Sequence, residues 1–112
     1  MITAIVNFRL PDGTSAAEAA RMFRESAPRY RGVPGPVRKY HVFGEDGTGG
    51  GVYLWESREA ADAFCTEAWR EMIRQRYGAT PSIRYFETPV IVDNALGEIH
   101  AGEARQQIRA QR

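Results

Sequence analysis

The 112 residues carry 15 lysines and arginines against 14 aspartates and glutamates, a formal net charge of +1. A chain of this length makes one domain around one core, and so even a balance offers no basic surface for nucleic acid or an anionic membrane. No apolar run approaches the ~20 residues of a membrane span, and the single cysteine, Cys65, excludes an internal disulfide and a cysteine-rich metal site. Met1–Val6 lacks a basic leader and soon reaches Arg9, so no secretion signal is read there and a reducing, cytoplasmic setting is expected. Among the 15 cationic residues only Lys39 is lysine. That is read as compositional bias, with an arginine-lined anion site as the functional alternative.

In chain order, Ile2 to Leu10 alternates as a strand, with Ile2, Ala4, Val6, Phe8 and Leu10 on one face and Thr3, Ile5, Asn7 and Arg9 on the other. Pro11-Asp12-Gly13 marks a turn. Ser15 and Glu18 form a capping box ahead of an alanine-rich helix over Ala16 to Ala27, which Pro28 is expected to end. Val37 to Gly44 is a second strand, and Val52 to Glu56 a third, its expected hairpin partner across a flexible glycine loop ending at Gly51. Ser57 caps a second helix, where Ala61, Phe64, Cys65, Ala68, Met72 and Ile73 recur at helical spacing, with Trp69 beside that stripe. Gly78 and Pro81 stop it. Ser82 to Val92 is a fourth strand, interrupted at Pro89, which points to an edge or a bulge.

Strand–helix–strand–strand–helix–strand order defines an α+β, ferredoxin-like subunit with an antiparallel sheet and both helices on one face. The predicted domain covers residues 1–94. Residues 95–112 are read as an extension, either loosely ordered or an arm on a partner. Both faces of the first, second and fourth strands carry apolar residues, so the sheet needs a second layer. A second copy is the economical one, and a homodimer is expected.

Several chemistries fail on spacing. The glycines at 47–51 lie between strands with no Gly-Lys-Ser/Thr following, so they form no phosphate cradle. His41 and His100, with one cysteine, make no recognisable metal cluster. Cys65 sits on an apolar helical stripe and reads as a core residue. What remains is a polar set, Asn7, His41 and Arg84, among the rings of Tyr40, Tyr53, Trp55, Trp69, Tyr77, Tyr85 and Phe86. An aromatic wall with a few polar groups is the pattern of a small-molecule pocket. A packed core with hydroxyls reaching solvent accounts for the same residues one at a time.

Pro34-Gly35, Arg38-Lys39-Tyr40, Gly50-Gly51-Val52-Tyr53-Leu54-Trp55-Glu56-Ser57, Trp69-Arg70, Arg76-Tyr77-Gly78 and Tyr85-Phe86-Glu87-Thr88-Pro89-Val90 resemble the YdhR-type family of monooxygenase-like proteins. That family lies in the dimeric α/β barrel superfamily, related to the antibiotic-biosynthesis monooxygenases. The likeness spans roughly residues 1–94 and departs at His41, where an aromatic is expected. It implies a homodimeric barrel with a pocket for a hydrophobic or aromatic ligand, and oxidation of an aromatic, polyketide-like substrate without metal, flavin or other cofactor. Under that implication His41 is the candidate base, Arg84 the anion partner, and Asn7 the holder of a carbonyl or dioxygen-derived oxygen. Trp55, Trp69 and Tyr53 would stack on the substrate's rings. A cyclase, isomerase or lyase acting without oxygen, and a non-catalytic small-molecule carrier, are the alternative expectations.

Overall fold

The computed structural model describes residues 1–101. Its elements are β1 (Ile2–Arg9), α1 (Ala16–Ser26), a 3-10 turn (Ala27–Tyr30), β2 (Pro36–Phe43), β3 (Thr48–Trp55), α2 (Arg58–Phe64), α3 (Glu67–Tyr77), β4 (Ser82–Glu87), β5 (Val90–Asp93) and β6 (Glu98–Ala101). The first four strands of this order that share a sheet run β2-β3-β1-β4, every pair antiparallel. Strand alternation decides which face meets the helices. Ala4, Val6 and Phe8 of β1 and Tyr53 and Trp55 of β3 are buried against Ala19 and Phe23 of α1, Ala61 of α2, and Trp69, Ile73 and Tyr77 of α3. This is the ferredoxin-like α+β architecture expected from the sequence.

The N-caps form as their residue types require. Ser15 accepts from the Glu18 N–H at 3.1 Å and Ser57 from the Ala60 N–H at 3.1 Å. Four local readings need correction. The expected second helix is two helices, because Cys65 leaves helical geometry and Thr66 caps α3 by accepting from the Trp69 N–H. The break re-phases the buried stripe onto Trp69, Ile73 and Tyr77, so Trp69 is central to it and Ala68 is exposed. Pro28 ends α1 as expected, with Ala27 as its C-cap. It also seeds the 3-10 turn that carries Tyr30 onto the sheet.

The third correction concerns the glycines. Gly49, Gly50 and Gly51 are not loop: they are buried in β3, paired with Phe8, Asn7 and Val6. A Cβ on Gly50 would lie 1.8 Å from the Val6 carbonyl oxygen, so the strand passes this point only without a side chain. The last is the C-terminal end of the sheet. The fourth strand stops at Glu87, where Pro89 cannot continue the ladder. Residues 90–101 then form their own hairpin, β5 on β6. Part of the predicted extension thus contributes β6, and the rest of it, 102–112, lies outside the described residues.

The hairpin is tied to the outer, helix-free face of the sheet. Asp93 is buried and accepts from the Arg38 guanidinium at 2.5 Å and from the Leu96 N–H at 3.1 Å, contacts that hold its carboxyl below the usual range. Elsewhere that face is bare. Tyr40, Val42 and Phe86 are exposed, with Ile5, Val52 and Leu54 half-buried among them. No helix among the described residues is long and apolar enough to cross a membrane.

Candidate functional site

The helix-facing side of β2 and β3 builds an aromatic-walled pocket. It is lined by Phe23 and Ser26 of α1, Tyr30 of the 3-10 turn, Lys39 and His41 of β2, and Tyr53 of β3, and is closed by Met72, Ile73, Arg76 and Tyr77 of α3. Alternation puts Lys39 and His41 on the same side of β2, and pairing sets them opposite Tyr53 and Gly51. The side chain of Lys39 lies across Gly51: a Cβ there would sit 3.1 Å from Lys39 Cε and 3.0 Å from the Tyr53 ring. The cavity offers about 10 Å³ for the centre of a water molecule, room for a single water.

Rings surround the two basic groups. Lys39 Nζ lies 3.2 Å from the Tyr30 ring centroid and 4.7 Å from that of Tyr53. His41 packs against Phe23, with centroids 5.3 Å apart, and edge-on to Tyr30 at 5.9 Å. Its Nε2 is 3.4 Å from Ser26 Oγ. Among the described residues Lys39 takes part in none of the ion pairs, whereas Arg76 is engaged: it donates to the Met22 carbonyl at 2.7 Å and stands 3.6 Å from Glu25.

The lack of a counter-charge among the described residues shows in the acid–base balance. Burial drives the Lys39 pKa down to about 7. Burial, with the neighbouring Lys39 charge second, takes His41 down to about 4. The phenol of Tyr53 is pushed up, first by burial and then by Tyr30. At neutral pH the pocket thus holds a neutral imidazole, an un-ionised Tyr53 phenol and an amine poised between its two states.

These shifts predict a stability profile. Both basic groups bind fewer protons folded than unfolded, Lys39 between pH 7 and its ordinary 10.5 and His41 between pH 4 and 6.5. Stability therefore rises with pH through each window. Tyr53, Tyr85 and Cys65, all raised by burial, oppose this rise as their unfolded forms ionise and reverse it only above about pH 9. The thermal midpoint should climb between pH 7 and 9, and Lys39→Met should flatten that climb. A wild-type midpoint that falls over this range would contradict the buried-amine assignment.

The predicted site residues divide between the two faces. His41, Tyr53 and Tyr77 line the pocket. Trp55 stacks behind Tyr53 at 5.6 Å, and Trp69 lies beyond Phe64 at 6.2 Å, so both support the wall from the core. Tyr85 is on the helix side but sits under the Arg58 guanidinium, 3.7 Å from its ring. Asn7, Arg84, Tyr40 and Phe86 are on the outer face. Arg84 pairs in register with Ile5, and its guanidinium rests 5.0 Å from the Phe86 ring. Within one chain His41, Asn7 and Arg84 do not form one constellation, because strand parity sends His41 toward the helices and the other two away.

Sequence reasoning passed over Lys39, Tyr30 and Ser26. For Lys39 the signal was present: a lone lysine in a chain that otherwise uses arginine. Tyr30 and Ser26 gave none: Tyr30 depends on the 3-10 turn beyond α1, and Ser26 is a lone polar residue at the end of α1.

No family model matches the chain, and no curated protein matches it. Solved structures do. A protein of unknown function from Nitrosomonas europaea superposes with a TM-score of 0.62 at 16% identity, over 78% of this chain and 87% of that one. An asparagine-to-alanine variant of SnoaB, a cofactor-independent oxygenase from Streptomyces nogalater, gives 0.55 at 17%, over 78% and 91%. An arginine-to-serine variant of MhuD, with two manganese protoporphyrin IX molecules bound per active site, gives 0.58 at 24%, over 84% and 100%. Antibiotic biosynthesis monooxygenase structures are among the other matches. The fold of this chain is therefore that of the antibiotic-biosynthesis-monooxygenase type.

Proposed function

We propose that the protein is a YdhR-type, cofactor-independent monooxygenase that acts as a homodimer on an aromatic or polyketide-like small molecule in the helix-side pocket. The observation that carries this reading is an amine with no counter-ion among the described residues, beside a histidine whose pKa burial lowers, inside an aromatic wall. The fold shared with SnoaB supports it.

An electron-rich phenol or anthrone reacts with dioxygen once it has lost a proton, because its anion is the electron donor. The protein must then supply a base and a partner for the anion. The sequence assigned these roles to His41 and Arg84. A base works best with a pKa near the working pH, so His41, at about 4, is too weak and Lys39, at about 7, is matched. Lys39 accepts the proton and, as the ammonium, stays beside the anion. His41 remains neutral and offers a ring nitrogen for hydrogen bonding. For an anthrone, one oxygen atom becomes the new carbonyl at the reacting carbon, and the other leaves as water with that carbon's two hydrogens.

Metal-free protein should consume one dioxygen per molecule of a hydroxylated anthrone converted. A requirement for added flavin, iron or metalloporphyrin would overturn the mechanism. Turnover that persists anaerobically would point to a cyclase, isomerase or lyase, and tight binding with no product over hours to a carrier.

The dimer rests on a separate observation, the uncovered apolar outer face of Ile5, Tyr40, Val42, Val52 and Phe86. In this reading Asn7 and Arg84 belong to the dimer contact. Light scattering at micromolar concentration should give twice the chain mass, and Val42→Asp should lower it toward the monomer. A stable wild-type monomer would remove this part of the proposal.

A further inference from the structure

Fourteen of the 15 lysines and arginines are arginine, and the one exception is the residue whose amine enters the pocket. A solvated surface charge accepts either residue. A guanidinium, however, stays charged and cannot form an imine, whereas a desolvated amine can do both proton and carbonyl chemistry. We propose that Lys39 is a carbonyl-capturing residue, forming a reversible imine with an aromatic aldehyde or ketone held in the pocket.

The geometry around Nζ suits both ends of that reaction. No ion pair holds the amine among the described residues. Its side chain is half-buried rather than sealed, and it runs over Gly51, where no Cβ obstructs it. The Tyr30 and Tyr53 faces next to Nζ are the surfaces on which an aromatic carbonyl compound would stack, and the same faces stabilise the cationic iminium as they do the ammonium. The nitrogen lone pair adds to the carbonyl carbon. The carbonyl oxygen then leaves as water, taking both amine protons, so one C=N bond replaces one C=O bond with no change of oxidation state. His41 lies on the same side of β2. Burial also favours the nucleophilic form: at pH 7 about half of Lys39 is neutral, against roughly one in three thousand for an ordinary lysine. The inference rests on the pocket and its amine, not on oxygen chemistry.

The sequence makes the test clean, because the only primary amines are Lys39 and the α-amino group of Met1. The full chain is treated anaerobically at pH 7 with benzaldehyde and cyanoborohydride, and peptide mapping by mass counts the benzyl group at each amine. Lys39 should be labelled at least as fast as the α-amine in the folded protein. In urea its labelling relative to the α-amine should drop more than tenfold, as it regains an ordinary pKa. Propanal in place of benzaldehyde should lower the Lys39-to-α-amine ratio. Labelling confined to the α-amine, or a ratio unchanged by unfolding, overturns the proposal, and equal ratios for the two aldehydes remove its aromatic part. Lys39→Arg should abolish the second adduct. Because the assay excludes oxygen, its failure and a failure of oxygen uptake are read independently.

Discussion

Lys39→Met should slow oxygen uptake with a hydroxylated anthrone by about 10²- to 10⁴-fold, the usual contribution of a positioned acid–base group. Methionine keeps the length and apolar stem of lysine, so the packing over Gly51 is kept while the amine and its cation–π contacts to Tyr30 and Tyr53 are lost. Lys39→Arg separates the two roles given to this residue, since it keeps a cation for the substrate anion but no titratable amine. Its rate should stay as low as that of Lys39→Met if proton removal limits turnover, and recover toward wild type if charge alone matters. The wild-type rate should rise with pH and level off above an apparent pKa near 7, because the neutral amine is the active form. Loss of that inflection in both variants, with folding unchanged by circular dichroism, would locate the base. His41→Ala should slow the reaction by a smaller factor, since its imidazole is too weakly basic to be the main acceptor. A Lys39→Met enzyme with an unchanged rate would remove the amine from the mechanism.

Trp55→Ala should be the most damaging core substitution, costing about 3–5 kcal/mol in urea unfolding. Trp55 is fully buried, stacked on Tyr53, 5.4 Å from the Phe64 ring and in contact range of Gly35. A domain of this size holds roughly 5–15 kcal/mol in all, so the loss is a large fraction of its stability. Trp55→Phe should be far milder. The indole N–H is buried with no acceptor among the described residues, and phenylalanine removes that donor while keeping most of the ring. A Trp55→Phe cost equal to that of Trp55→Ala would mean that the indole N–H has a partner after all.

Much of the fold was legible because local signals agreed. Ser15 and Ser57 marked helix starts, Gly78 a helix stop, and alternation in β1 and β2 gave strands, the second with β3 as its hairpin partner. Three features were hidden for physical reasons. Thr66 caps a new helix in the middle of a segment whose apolar spacing continues through it, so periodicity alone read one helix. The glycines at 49–51 look like a loop because glycine is the common turn residue; their reason for being in a strand is the crowding by Leu10, the Val6 carbonyl and Lys39, which is tertiary. Residues 90–101 needed their partner strand to be recognised as a hairpin.

The site was legible in kind but not in arrangement. Rings with a few polar groups announced a pocket, yet both faces of the sheet carry apolar residues, and parity cannot be assigned when both look inward. The register supplies what was missing: Asn7 pairs with Gly50, and His41 with Gly51, one residue apart on β3 and so on opposite faces. A weak clue existed in β1, where Ala4, Val6 and Phe8 form a more apolar face than Thr3, Ile5, Asn7 and Arg9.

The pocket between Phe23, Tyr30, His41 and Tyr53 admits a water molecule and nothing larger while it is empty. An aromatic ligand must therefore wait for the rarer conformations in which the Tyr30 turn or the Met72 side of α3 has moved away. Its measured affinity is lowered by the fraction of time those conformations exist. Observed association rates should then level off as ligand concentration rises, at the rate of opening rather than of diffusion. Stopped-flow quenching of tryptophan fluorescence would read that plateau directly. Substitutions that loosen Tyr30 should raise it, so the packing of one tyrosine sets a speed limit on everything the amine does.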